Sequence, residues 1–365
     1  MHRCPAGWGI VTLRASAIQA HLGGLAYAPN RLIGLGRLNP MDSGPPTPDS
    51  LPHVAVVICT RHRPPSVADA VRSALASRPA ASCLIVVDQA DAETADPLAK
   101  FDGLARFVRI RHDAVGLSRG RNVGAAAAAA AGATIIAYTD DDCVAEPSWL
   151  SGFDAAFAGA ADIAAVFGTV RAAPYDRTTG IIPAYNAHKS IVMRGLANKA
   201  RAEGIGACMA VRVDAWRQLD GFDDWLGAGT SLASGEDTDL IVRLLHSGFA
   251  VAETPAAEVI HHGFRDWPSC EPLVAGYMRG IGAVNAKMIR LAGIGGLAPL
   301  ATLGGRWLTG RPVVDLNHLP PRWFRLRRFL EGATTGWKLP IDRRSGRFLP
   351  IHRPGDLTPP TTSLG

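Results

Sequence analysis

The sequence predicts an α/β fold: a mostly parallel central sheet flanked by helices, followed by a helical C-terminal extension. Three observations carry this expectation. The runs VAVVIC (Val54 to Cys59), CLIVVD (Cys83 to Asp88) and TIIAYTDDD (Thr134 to Asp142) are short, apolar and bounded by turn residues, as buried strands are. Stretches at helical spacing separate them, and strands alternating with helices form parallel sheets through right-handed crossovers. Acidic residues close two of the runs, and in such sheets ligands bind beyond the carboxyl ends of the strands.

Taken in order, residues 1–52 carry no clear period and end in a Pro-, Ser- and Asp-rich linker from Asn39 to Pro52. Met41 is a candidate translation start, which would make residues 1–40 an extension; an amphipathic N-terminal anchor is the competing reading. A domain over 53–267 then begins with VAVVIC, a helix from Ser66 to Ala76 and CLIVVD. A weak strand, Phe107 to Ile110, precedes GLSRGRNVG (Gly116 to Gly124), an alanine tract and TIIAYTDDD. Alanine is the best helix former, and its small side chain permits close packing on a sheet. Further strands are expected at Ala164 to Arg171, Ala207 to Val213 and Phe249 to Glu253, with a helix from Glu236 to His246. The remainder, 268–365, reads as a mostly helical extension with a Pro-rich tail.

At 365 residues, 47% hydrophobic and 19% charged, the chain can bury a sizeable core, which excludes wholesale disorder. A net charge of +6 favours anionic partners. Arginine recurs at Arg322, Arg325, Arg327, Arg328, Arg343, Arg344 and Arg347, with Trp323, Phe324 and Phe329 interleaved. That pattern fits either a peripheral contact with an anionic membrane surface or a solvated basic face. The stretch from Leu273 to Gly305 is the most apolar, but Arg279, Lys287 and Arg290 interrupt it, leaving an interface-lying helix rather than a span. Six scattered cysteines show neither disulfide nor zinc spacing, so a cytoplasmic place is expected, with a peripheral position at the inner membrane face the alternative that the basic stretch leaves open. Charge alone does not support nucleic-acid binding.

Asp140, Asp141 and Asp142 end a buried strand, where three adjacent carboxylates repel unless a cation or donors compensate them. Mg²⁺ or Mn²⁺ suits such a place, because one or two carboxylates hold it while substrate phosphates complete its shell. The plainer alternative is an acidic turn before a helix starting near Pro147. Upstream, Arg121 can meet phosphate or carboxylate and Asn122 can hydrogen-bond a base or the acidic strand end. GEDTDL (Gly235 to Leu240) follows a glycine-rich loop, so Asp237 there can act as general base, with Glu236 in support; both could equally complement the helix dipole. VIHHGFRDW (Val259 to Trp267) offers two histidines of which alternation lets one face the site: His262 is the assigned metal ligand beside Asp142, and His261 a supporting residue.

Seven motifs in order, VAVVICTRHRP, LIVVDQAD, GLSRGRNVG, YTDDDCVAEPSWL, GACMAVRVDAWRQLDGFDDWLGAG, GEDTDLIVRLLHSG and VIHHGFRDW, resemble the family 2 glycosyltransferases with the GT-A, or nucleotide-diphospho-sugar transferase, fold. The resemblance implies an inverting enzyme that moves a sugar from a nucleotide-diphosphate donor to an acceptor hydroxyl, glycan or lipid-linked, in cell-envelope glycan, glycolipid or polysaccharide synthesis. It implies Thr60 and Arg61 beside the nucleotide, Asp88 on the base and Arg121 near base or phosphates. Asp140 and Asp142 look like the family's DxD pair, Asp140 at the ribose and Asp142 on the metal, and Asp237 aligns with the base of its ED motif. Gln89 departs from the usual acidic or polar pattern after the second strand, and the QxxRW motif of processive synthases does not occur, which favours single addition. A nucleotidyltransferase is the enzyme alternative, although CTRHRPPS lacks the glycine of its phosphate loop; a non-catalytic sugar-nucleotide-binding or scaffold protein is the other. Pro174 to Arg201, where an acceptor would lie, shows no readable pattern.

Overall fold

The computed structural model describes residues 50–62, 65–91, 95–113, 115–201, 204–297 and 320–350. The expectations for residues 1–49 and for the Pro-rich tail lie outside them.

Ser50–Thr60 (β1), Ala80–Asp88 (β2), Phe107–Arg111 (β3) and Ile135–Asp140 (β4) form the parallel half of one sheet, in the order β3-β2-β1-β4. Val67–Leu75 (α1) crosses from β1 to β2, and Leu117–Ala130 (α2) leads into β4. Val54 to Ile58 of β1 are all 1% exposed or less, because helices cover both faces, and this explains the unbroken apolar run. The alanine tract serves close packing: a Cβ on Gly124 of α2 would sit 2.4 Å from Val57 Cγ1 of β1.

Beyond β4 the sheet is mixed. Cys208–Arg212 (β9) runs antiparallel to β4 and to Ile163–Ala172 (β6), while Ala250–His261 (β10) is parallel to β6. Ile191–Arg194 (β8) and Cys143–Ala145 (β5) both join β10 antiparallel. The helix-strand alternation stops here for a local reason: Asp141 and Asp142 turn the chain straight from β4 into β5. That turn pairs Cys143 with His261, bringing the acidic triplet to the end of β10. Trp149–Ala158 (α3), Val213–Gln218 (α4) and Glu236–His246 (α5) complete the layers, and a small second sheet pairs Gly180–Ile181 (β7) with Arg265–Asp266 (β11).

The C-terminal extension shares the core. Trp267–Ala292 (α6) and Arg322–Lys338 (α7) pack backbone to backbone: Cβ atoms on Gly332 and Gly336 would lie 1.9 Å and 2.6 Å from the carbonyl oxygens of Arg279 and Ala283. Leu226, Leu232 and Val242 form one cluster with Ala283, Val284, Met288, Leu339 and Phe348. Lys287 of α6, fully buried, donates to Asp223 at 2.5 Å and Asp239 of α5 at 2.6 Å. The described part of the Leu273–Gly305 stretch is therefore largely interior, since Val274, Met278, Ile281 and Met288 are buried. Phe324 and Phe329 are likewise buried, whereas Trp323 is 65% exposed, so the interleaved aromatics face opposite ways. Among the described residues no helix is long and apolar enough to cross a membrane.

Candidate active site

A cleft of about 990 Å³ opens at the carboxyl ends of β1 and β4, bordered by the start of α5, the end of β10 and the first half of α6. Thr60, Arg61, Arg121, Asp140, Asp142, Glu236, Asp237, His261 and His262 all line it. Residues as far apart in the chain as Thr60 and His262 are thus brought together.

The acidic triplet divides its partners. Asp140 Oδ1 accepts from Arg121 Nη2 at 3.1 Å, Asp141 Oδ2 from the Thr60 hydroxyl at 2.6 Å, and Asp142 Oδ1 lies 3.2 Å from His261 Nε2. Burial raises the Asp141 carboxyl to about 7 against the Thr60 hydrogen bond, while the neighbouring carboxylates push it further up. Burial also raises Asp140 although Arg121 opposes it. At Asp142 burial acts upward too, but the His261 hydrogen bond and charge prevail and hold it below its ordinary value. Each of the three acids thus has a partner in the chain itself, but only at Asp142 does the partner outweigh burial.

Arg121 is 2% exposed and commits both terminal nitrogens, Nη1 to Glu236 Oε1 at 3.0 Å and Nη2 to Asp140 and the Gly206 carbonyl at 3.3 Å. Burial disfavours its charge, but Asp140 and Glu236 more than compensate. Arg121, expected near base or phosphates, thus also links two acidic clusters at the cleft. Burial and the adjacent Asp237 push Glu236 up to about 7 despite Arg121. Asp237 is the second residue of α5, which opens after Gly235, whose φ of 89° aims the chain into the helix. Its Oδ2 accepts from Gly206 N at 3.0 Å and Oδ1 from Thr238 N at 2.6 Å. Each oxygen keeps a lone pair for a further donor.

Three expectations need correction. Asp88 is 1% exposed and holds Arg109 through Nη2 and Nε at 2.7 Å and 3.0 Å; it does not line the cleft, and the adjacent Gln89 does, because β2 turns there toward Gly116. Asn122 points away, donating to the Phe222 carbonyl and accepting from Phe222 N and Trp216 Nε1, which makes it a brace for the loop after α4. The histidine facing Asp142 is His261 rather than His262. On β10 the alternation turns His261 inward, where its Nδ1 lies 2.7 Å from the Pro183 carbonyl oxygen, and leaves His262 exposed at the cleft mouth.

Asp142, Cys143 and His261 offer ligand atoms that all lie within 4.8 Å of one another. Cys143 is fully buried, and burial lifts its thiol well above the ordinary range, so it stays protonated and poorly suited to a hard cation. The Asp142 oxygen and the imidazole fit Mg²⁺ or Mn²⁺ better. His261 Nδ1 bonded to a backbone carbonyl leaves Nε2 aimed at the site, the arrangement that orients a ligating histidine. Space is kept beside them too: a Cβ on Gly263 would lie 2.3 Å from Asp142 Oδ2 and 2.5 Å from His261 Nε2.

Sequence reasoning ended the domain at Trp267 and so missed a wall of the cleft. Cys270, Leu273, Val274, Tyr277 and Ile281, on one face of α6, line it. Their spacing of three to four residues was a readable signal; that of Arg265, 3.8 Å from Asp142, was not.

Residues 52–271, more than half of the chain, match the family described as "Glycosyltransferase like family 2". No curated protein matches the chain. Among solved structures it is similar to S. aureus TarS 1-349, with 12% identity, a TM-score of 0.53 and coverage of 77% of this chain and 80% of that one. It is similar also to the mannosyltransferase PcManGT from Pyrobaculum calidifontis in complex with GDP-Man and Mn²⁺, at 14% identity and TM-score 0.51, covering 78% and 74%. At such identities the likeness is one of fold. The ordered motifs, the match over 52–271 and the shared architecture agree: the chain belongs to glycosyltransferase family 2 and is a glycosyltransferase of the GT-A fold.

Proposed function

We propose that the protein is a metal-dependent, inverting glycosyltransferase that adds a single sugar from a nucleotide-diphosphate donor to a hydroxyl of a glycan or lipid-linked glycan acceptor. The observation that carries this reading is that Asp142 and His261, 3.2 Å apart, share one cleft with Asp237. PcManGT, of similar fold, holds GDP-Man and Mn²⁺, which supports a nucleotide-sugar donor and a divalent ion here.

Asp142 and His261 would hold Mg²⁺ or Mn²⁺, which when bound supplies positive charge against the leaving diphosphate. Asp237 accepts the proton of the acceptor hydroxyl as its oxygen attacks the anomeric carbon and the bond to the diphosphate breaks. The Gly206 and Thr238 N–H groups fix the carboxylate for that transfer, and α5 places it at the cleft. Inversion follows from a single displacement, since no second nucleophile is needed. Arg121, spent on Asp140 and Glu236, positions those carboxylates; Arg61 and Arg265, exposed at the cleft, are the cations available to the diphosphate.

The test is thermal stabilisation by a panel of nucleotide sugars with and without Mn²⁺, followed by a donor-hydrolysis assay, because a ligand of the native state raises its melting temperature. A donor that stabilises only with metal and is then hydrolysed supports the reading. Stabilisation indifferent to metal, or no hydrolysis of any donor that binds, overturns it.

A further inference from the structure

One face of α7 packs on α6 through Phe324, Phe329, Gly332 and Gly336, all buried. Its opposite face is also apolar, yet it is open: Trp323, Leu326, Leu330 and Trp337 are 65%, 43%, 53% and 57% exposed. At about 100° per residue these four fall within roughly a 60° arc, so they form one stripe along the helix. A solvated helix needs one apolar face, and this one has two.

The charges beside the stripe say what meets it. Arg322, Arg327, Lys338, Arg343 and Arg344 are exposed on and just after α7. Its acid, Glu331, is matched by Arg327 at 3.1 Å and Arg328 at 2.8 Å, and Asp342 is turned into its own loop, accepting from Ser345 Oγ at 2.7 Å. The surface around the stripe is therefore basic. Ile294 is 88% exposed beyond Arg290, whose Nη1 caps α7 by donating to the Gly336 and Leu339 carbonyls. The stripe is apolar, tipped by tryptophan near both ends and edged by arginine and lysine. Tryptophan prefers the headgroup level, and the basic edge is attracted by acidic lipids.

We propose that this face of α7 docks the enzyme on an anionic lipid bilayer, lying in the interface plane rather than crossing it. A helix of this length spans about 25 Å, and shallow insertion of the four side chains with basic flanks gives reversible binding that salt weakens. A second copy of the chain would gain nothing from a like-charged rim.

Vesicle co-sedimentation of the full chain decides it. With phosphatidylglycerol vesicles at low salt the protein sediments, and with phosphatidylcholine alone, or at high salt, at least tenfold less does. Trp323→Ser/Leu330→Ser/Trp337→Ser loses at least tenfold in partition to phosphatidylglycerol while its melting temperature is kept. Should the triple variant unfold, Trp323→Ser and Trp337→Ser singly must each show part of the loss. Wild-type protein that ignores phosphatidylglycerol, or folded variants that bind as well as wild type, overturns the proposal. A wild-type dimer that the substitutions dissolve assigns the face to a second copy and overturns it equally.

Discussion

His261 Nε2 stands 3.2 Å from Asp142 Oδ1 while its Nδ1 faces the Pro183 carbonyl at 2.7 Å, so both ring nitrogens are directed by oxygen atoms. One residue of shift along β10 would have turned His261 out of the site.

His261→Ala should therefore weaken metal-dependent binding of a nucleoside diphosphate by at least about tenfold, since loss of a partner that only supports a ligand already costs that much. His262→Ala should change it less than about twofold. Titration calorimetry with Mn²⁺ and with a chelator reads both; equal losses, or binding indifferent to chelation, would remove His261 from the metal assignment.

Gly263→Ala tests the same site without removing a ligand. Its methyl would intrude on Asp142 and His261 at 2.3 Å and 2.5 Å, so Mn²⁺-dependent binding should fall at least tenfold with little change in secondary structure. Normal Mn²⁺ dependence in a folded Gly263→Ala protein would show that no ion sits between those groups.

Asp237→Asn should lower turnover by about a hundredfold to ten-thousandfold, the range of general-base assistance, with donor affinity nearly kept. It also costs stability: both Asp237 oxygens accept backbone N–H groups, and an amide nitrogen would leave one unmet, about 1–3 kcal/mol. Glu236→Gln should reduce turnover less. Full turnover in Asp237→Asn would move the base elsewhere.

Glu236 should also mark the stability curve. Its folded pKa of about 7 exceeds the unfolded value near 4.3, so its contribution is fully present below about pH 4 and is lost as pH rises through about 7. Relative to Glu236→Gln, the wild type should lose stability across that window. Parallel curves from urea unfolding at a series of pH values would contradict the raised pKa.

Lys287→Met should be among the most damaging single changes, about 3–5 kcal/mol, because it removes the cation shared by two buried carboxylates and leaves Asp239 only Arg243 and Asp223 only the Trp225 and Phe348 N–H groups. Denaturant unfolding measures it. A cost near zero would mean that the ion pairs linking α5 to α6 are dispensable.

The sequence by itself determined the parallel half of the sheet, the acidic strand end and the opening of α5, because unbroken apolar runs, a 3.6-residue period and helix-start chemistry are local properties. It also carried the family, through the order of motifs. Only the tertiary structure decided that Asp88 is held by Arg109, that Asn122 braces a loop and that Arg121 joins Asp140 to Glu236, since each partner comes from a distant element. It decided equally that α6 walls the cleft and that Trp323 faces out while Phe324 faces in. Which of two neighbouring side chains turns inward depends on the register of β10 against β5 and of α7 on α6, and those registers are set by packing between segments far apart in the chain.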